Sequence, residues 1–378
     1  MRKMYKINIL DYALQSSQGD AEETLQSIKD KNTTISAKEV STIDGNIEIP
    51  YYLFEKKVEE NPDDIKQAIK KIVQNISDKL SVEQRKNTSL IIGTALVDQN
   101  IVKAVVETMY DYKKKPYSSS KKSIDSFAKE ISEELGLNAF SMTISTACTS
   151  SVNAVLEARN LINSDVIEYA IVVGVEVFSQ MMSNGFSSMK LLSSDVQKPF
   201  DISRDGLVLG EAIAGVLVGK DSSPWAILGG YSNCNSLNIT SVSPSGKEYA
   251  EVMNRTMDLS NVKAEDITTL KAHATSTPTN DMSEIHAIQK VFTPDVTFTA
   301  LKPYVGHTLG ACGVLELAMF ISCIDDGFIP QTLNHTEPII EEYVPLQEFK
   351  ECHSGIFMLN YFGFGGNNTS IIIQKESK

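Results

Sequence analysis

The sequence predicts an α/β protein assembled from two βαβ-rich halves. Two observations carry that reading. Short, apolar, β-prone runs alternate with segments of helical period along most of the chain, the pattern of strands connected by crossover helices. The two halves also echo each other: a strand, Cys148 and a helix in the first, a strand, His307 and a helix in the second. The boundary is set between residues 1–220 and 221–378.

The elements follow in order. Tyr5–Leu10 alternates like a first strand, and Asp20 caps a helix over 20–28 with an acidic first turn. Residues 30–60 are polar and read as irregular. A helix starts at Asn61-Pro-Asp-Asp, with Ile65, Ala68, Ile69 and Ile72 at helical spacing. Ser89–Thr94 is a short buried strand, followed by a helix around 99–110. Residues 111–123 are basic and serine-rich, a solvated loop or a docking patch for an acidic protein. Tyr169–Val177 is a continuous apolar strand, and 186–206 form a long connection to a strand over Gly210–Val218. The second half has a strand from Trp225, a helix at 246–259, a strand at Ile267–Ala272 ending on His273, and a helix at Met282–Lys290. Val296–Ala300 is a strand leading to Lys302 and His307. A long apolar helix at Gly310–Ile324 follows, and two strands around a glycine turn close the chain.

Composition narrows the function classes. The 378 residues are 42% hydrophobic and carry a net charge of −13, which argues against bulk binding to nucleic acid or to an anionic membrane. Five scattered cysteines, an odd number with no CxxC pair, fit a reducing cytoplasm better than a disulfide framework or a structural zinc site. No uninterrupted apolar run reaches the length of a membrane span, and no signal peptide is read at the N-terminus.

Chemistry concentrates at Cys148. An apolar run reaches the cysteine, and a helical pattern begins immediately behind it, so Cys148 sits at a strand-to-helix corner. First-turn N–H groups and the helix dipole favour a thiolate there. Taken alone, Cys148 reads more readily as an inert buried cysteine packed as a small hydrophobe; three further stretches reverse that. They are His273-Ala-Thr-Ser-Thr-Pro-Thr-Asn-Asp281, Lys302-Pro-Tyr-Val-Gly-His307-Thr and Gly363-Phe-Gly-Gly-Asn-Asn368.

With Thr146-Ala-Cys148-Thr-Ser, Pro199–Glu211 and Pro330–Asn334, these stretches closely resemble the elongating β-ketoacyl-acyl carrier protein synthases of the thiolase superfamily. The match runs from about Ala139 to the C-terminus. The resemblance implies a thiolase-like fold in a layered αβαβα arrangement. It also implies a Cys-His-His acyltransferase: a decarboxylative Claisen condensation of malonyl-acyl carrier protein with an acyl group held on Cys148, in fatty acid, polyene or polyketide biosynthesis. His273 and His307 would hold the enolate oxygen, and the N–H groups of Cys148 and Phe364 would hold the second oxyanion. Lys302 would be a buried member of the site beside Glu316. Thr275 and Thr277 would bond the pantetheine arm, Phe364 would gate the acyl pocket, and Leu207 would shape it in place of a common Phe. Asn367 stands where the family usually has Thr.

No cofactor or metal is implied, because the substrates ride on the phosphopantetheine arm of acyl carrier protein. The implied partners are that carrier and a second subunit, as homodimer or as heterodimer with a chain-length-factor-like chain, in the cytoplasm. The alternative is that this chain is itself the chain-length-factor-like subunit. A degradative thiolase would add a C-terminal Cys-x-Gly, and an initiating synthase would place Asn at His307. His286, His335 and His353 read as structural or solvent-facing, and Met181, Met182 and Met189 as core.

Overall fold

A computed structural model describes residues 5–42, 45–58, 62–96, 124–234 and 243–377. The helix expected around 99–110 and the basic stretch 111–123 lie outside the described residues.

The first half begins with β1 (Ile7–Ser16) and α1 (Ala21–Lys29). The Asp20 side chain accepts the Glu22 and Glu23 N–H groups, and Glu23 reaches back to the Asp20 N–H, a reciprocal cap. The segment read as irregular is a hairpin, β2 (Ser36–Thr42) with β3 (Gly45–Tyr52). Along most of its length one face is buried, through Val40, Ile49 and Tyr51, with Tyr52 buried from the other side at the end of β3, and the polar outer face masked the alternation. Next come α2 (Pro62–Ser77), α3 (Val82–Lys86), β4 (Thr88–Gly93), α4 (Ile124–Leu135), β5 (Ser141–Ile144), α5 (Ser150–Asn163) and β6 (Tyr169–Glu176). The connection expected after β6 contains a further helix, α6 (Gln180–Ser188), which Ser179 caps by accepting the Met182 N–H. β7 (Leu209–Gly210) and β8 (Ala212–Gly219) complete this half.

The second half runs β9 (Trp225–Cys234), α7 (Lys247–Ser260), β10 (Thr269–Lys271), α8 (Pro278–Val291), β11 (Phe298–Thr299), α9 (Lys302–Val305), α10 (Cys312–Asp325), β12 (Phe328–Ile329), β13 (Lys350–Glu351), β14 (Gly355–Phe362) and β15 (Asn367–Lys375).

Among the described residues, ten strands form one sheet in the order β11-β10-β14-β15-β9-β1-β8-β6-β4-β5. The order is symmetric about its centre. On one side β4 runs parallel to β5 and β6, and β6, β8 and β1 are antiparallel in succession. On the other, β10 runs parallel to β11 and β14, and β14, β15 and β9 are antiparallel in succession. The two five-strand halves meet only where Ile7–Ile9 of β1 pairs with β9.

Five layers result. α5 and α10 pack against each other between the two half-sheets, and α5 touches strands of both. Every residue of α10 from Cys312 to Ile324 is buried, which is why this helix is apolar all round. α2 and α4 cover the outer face of the first half, and α7 and α8 that of the second, each over its own apolar cluster. Leu90 and Ile92 face the outer cluster while Ile91 faces the central one. Burial on both faces explains the unbroken apolar runs in the sequence. The two central helices cross closely: a Cβ on Gly313 would lie 2.3 Å from the Val152 nitrogen. That close approach brings their N-terminal loops, which carry Cys148 and His307, side by side. Met182 packs on the central core, but Met181 and Met189 are exposed, a correction to their expected place in it.

Candidate active site

Cys148 lies between β5 and α5, and His307 occupies the matching place between β11 and α10. Ala147, just before the cysteine, is held at φ 53°, a left-handed conformation that a residue with a Cβ rarely adopts. The strained turn points the sulfur inward, where the His307 Nε2 lies 3.1 Å from Sγ.

His273 follows β10, with its ring centroid 5.3 Å from that of His307 and the planes at 85°. The Lys302 Nζ lies 3.2 Å from the His273 Nδ1 and 2.8 Å from the Glu316 Oε1. An ammonium can only donate, so Nδ1 accepts and the His273 proton resides on Nε2. Burial, then Lys302, holds both histidines well below the ordinary imidazole pKa, so both are neutral at pH 7. Lys302 is itself fully buried. Burial opposes its charge, but Glu316, together with Cys312 and Glu284, more than offsets burial and raises its pKa.

The β14–β15 turn supplies Phe364. A Cβ on Gly363 would lie 3.4 Å from the Cys148 nitrogen, so the turn rests directly against the cysteine. The backbone N–H groups of Phe364 and of Cys148 itself pull the pKa of the sulfur down. The Phe364 ring meets Phe186 of α6 edge to face at 5.6 Å. Asn367 anchors this turn: its Oδ1 lies 2.6 Å from the Thr149 Oγ1 and 3.0 Å from the Asn153 Nδ2. The departure from Thr at this position therefore preserves a tie to α5.

The expected thiolate at Cys148 needs correction. Burial pushes the thiol up to about 11, although the Phe364 N–H and Lys302 pull the other way. A helix N-terminus does not offset complete desolvation, so the resting group is a thiol beside a neutral imidazole. Cys234 is the exposed cysteine.

Thr275 and Thr277 are brought together, with hydroxyls 3.0 Å apart, beside His273. Leu207 is buried in the same central core as Cys148 and Phe186, its backbone paired with Leu191 and Ser193. His286 bonds the Pro244 carbonyl at 2.7 Å, and His353 lies 3.2 Å from Glu351; neither joins the cluster.

Several functional neighbours escaped sequence reasoning. Glu284 accepts the N–H groups of His273 and Ala274, each at 2.7 Å. Asp281 accepts the Ser276 N–H at 3.1 Å. Together they pin a backbone in which Ala274 and Ser276 have φ of 51° and 67°. Lys271 is completely buried and bonds the Glu316 Oε2, so the carboxylate has two cations where one was expected. A lysine in the apolar strand run before His273 was the available signal.

A Cys-His-His cluster carried on two symmetric halves defines a condensing enzyme of thiolase-like fold. Family sequence models agree: "Beta-ketoacyl synthase, N-terminal domain" matches residues 65–223, and "Beta-ketoacyl synthase, C-terminal domain" matches 226–336. A putative mitochondrial 3-oxoacyl-[acyl-carrier-protein] synthase of Schizosaccharomyces pombe is 30% identical over 287 residues, 69% of this chain and 67% of that protein. The chloroplastic 3-oxoacyl-[acyl-carrier-protein] synthase I of Arabidopsis thaliana is 29% identical over 318 residues, 78% of this chain and 67% of that one. A Xenorhabdus doucetiae ketosynthase, solved in complex with its chain length factor, shares the fold at TM-score 0.86 and 22% identity, over 98% of both chains. The chain belongs to the β-ketoacyl synthase family of acyl-transferring enzymes.

Proposed function

We propose that the chain extends carrier-bound acyl groups by decarboxylative condensation, with Cys148 as the acylated nucleophile. The observation that carries this reading is the placement of His307 Nε2 at 3.1 Å from the Cys148 sulfur, beside a His273 whose Nε2–H is fixed by Lys302.

In the first step the thiol attacks the acyl thioester of the carrier. Its proton passes to His307 and then to the departing pantetheine thiolate, so the site returns neutral. The tetrahedral oxyanion falls to the Cys148 and Phe364 N–H groups. In the second step malonyl-carrier protein loses carbon dioxide, and the electrons of the broken C–C bond form an enolate that the His273 Nε2–H stabilises, joined by His307 once its single proton has moved from Nδ1 to Nε2, the nitrogen that accepted the thiol proton in the first step. Each such donor lowers the barrier by about 3 kcal/mol. The enolate carbon then attacks the acyl-Cys148 carbonyl, and collapse of the adduct releases the cysteine as a thiolate, which takes up one proton from solvent to restore the resting thiol. Thr275 and Thr277 hold the pantetheine arm, Phe364 gates the acyl pocket and Leu207 shapes it. The acid–base and oxyanion groups all come from the chain, so the reading calls for no bound cofactor.

Acyl carrier protein is the substrate partner. The second subunit docks at β5, which pairs only with β4 among the described residues and leaves its other edge open. That subunit is a second copy of this chain or a chain-length-factor-like chain. An inactive-partner role for this chain fits less well with an intact cysteine-histidine contact. No described helix is long and apolar enough to cross a membrane, and the reading places the reaction in the cytoplasm with a soluble carrier.

The test is intact-mass analysis of the enzyme after incubation with acyl-carrier protein, with product analysis after adding malonyl-carrier protein. The reading expects one acyl group on Cys148 and a product two carbons longer. No adduct with any carrier-bound acyl chain, alone or with a partner subunit, would overturn it.

A further inference from the structure

Glu316 lies on α10 with both carboxylate oxygens buried. Lys302 takes Oε1, and Lys271 takes Oε2. Lys271 also donates to the Asn360 carbonyl at 2.8 Å and lies 3.7 Å from the centroid of the Tyr361 ring. Carboxylate, carbonyl and aromatic face are all electron-rich, and none can donate to an amine lone pair. Burial lowers the Lys271 pKa and Glu316 pulls it back up, and with acceptors on every side the contacts favour an ammonium. Lys271 belongs to β10, two residues before His273, so both side chains leave the chain on the same side.

We propose that Lys271 is a positioning residue for His273: by occupying Glu316 Oε2 it leaves Oε1 alone to Lys302, whose ammonium then stays on His273 Nδ1. Without Lys271 the buried Oε2 has no cation. The carboxylate would then turn both oxygens to Lys302 and draw Nζ off the imidazole. The second ammonium also adds positive charge beside the histidine pair, which opposes imidazole protonation. The charged or titratable groups facing this cluster are Glu316, Lys302, Cys312, Glu284 and Tyr361, with Cys148 and Glu176 beyond the histidines.

This inference rests on the proposed reaction for its rate readout, but not for its structural one. The full-length chain is compared with Lys271→Met, which keeps the length and removes the charge, and with Lys271→Gln, which keeps a donor. Melting confirms folding. Exchange of the imidazole C2 proton, followed by mass spectrometry, reads the protonation of His273 without any turnover. The expected result is a rise in the His273 midpoint corresponding to about a tenfold change in its protonation equilibrium, larger in Lys271→Met than in Lys271→Gln. Carbon dioxide release from malonyl-carrier protein should fall about tenfold or more in kcat, with KM changed less than about twofold. Folded variants with the wild-type His273 midpoint overturn the proposal, as does a loss seen only in melting temperature. If Lys271→Met fails to fold, Lys271→Gln decides on the same criteria. A wild type that releases no carbon dioxide would count against the proposed reaction, and the His273 midpoint would still judge Lys271.

Discussion

Glu176→Gln gives a test of the electrostatics that hold the site together. Glu176 ends β6, and its Oε2 accepts the N–H groups of Ala95 at 3.1 Å and Gly310 at 2.9 Å. It thereby fastens the end of the first half-sheet to the loop behind His307. Complete burial raises its pKa from the ordinary 4.5 to about 8, against the pull of those two N–H groups. A carboxyl raised on folding contributes stability that is fully present below pH 4.5 and is lost as pH rises through 8. Each pH unit between the two costs about 1.4 kcal/mol, so the wild type loses on the order of 3 kcal/mol between pH 6 and 9 through this group. With an unfolding entropy of about 2.1 cal/mol/K per residue over 378 residues, that is a fall in melting temperature of roughly 4 °C. Gln keeps an acceptor for both N–H groups and cannot ionise. Glu284, raised by burial to about 7, titrates in both proteins, so the difference between them isolates Glu176. The assay is thermal melting at pH 6 and 9. The variant should lose about 4 °C less than the wild type; equal losses would refute the reasoning.

Three further outcomes are expected. Lys302→Met should fold, because Glu316 retains Lys271, yet release carbon dioxide from malonyl-carrier protein about a hundredfold more slowly as His273 loses its fixed tautomer; carbon dioxide release is the measurement. Thr277→Val removes a hydroxyl from the pair beside His273, and should raise KM for carrier-bound substrates severalfold with kcat little changed, as read by steady-state kinetics. Asn367→Ala removes one acceptor shared by Thr149 and Asn153, both of which keep Thr146 Oγ1, and should cost about 0.5–1.5 kcal/mol in chemical denaturation.

The sequence carried the fold where burial is two-sided. β4, β6, β8 and α10 are mostly apolar because both faces are covered, and such runs are legible without knowing their partners. The hairpin β2–β3 and the helix α6 were missed because each buries one side and presents polar residues on the other. The site was legible where a residue type is chemically unusual in its setting, as with Cys148, His273 and His307. It was illegible where function arises from contacts across the chain. Lys271 and Glu316 are 45 residues apart, and Glu176 meets Gly310 across 134. Desolvation was equally invisible, and it reversed the expected ionisation of Cys148.

The central claim is that the cysteine and the histidines divide the reaction between them. Its most direct test measures Cys148 acylation by intact mass, and carbon dioxide release from malonyl-carrier protein, separately in Cys148→Ala, His273→Ala and His307→Ala. Cys148→Ala should abolish acylation yet keep some carbon dioxide release. Either histidine variant should still acylate to some extent while releasing carbon dioxide about a hundredfold more slowly. Histidine variants that decarboxylate like the wild type but fail to acylate would contradict the account, because the histidines would then serve the cysteine alone.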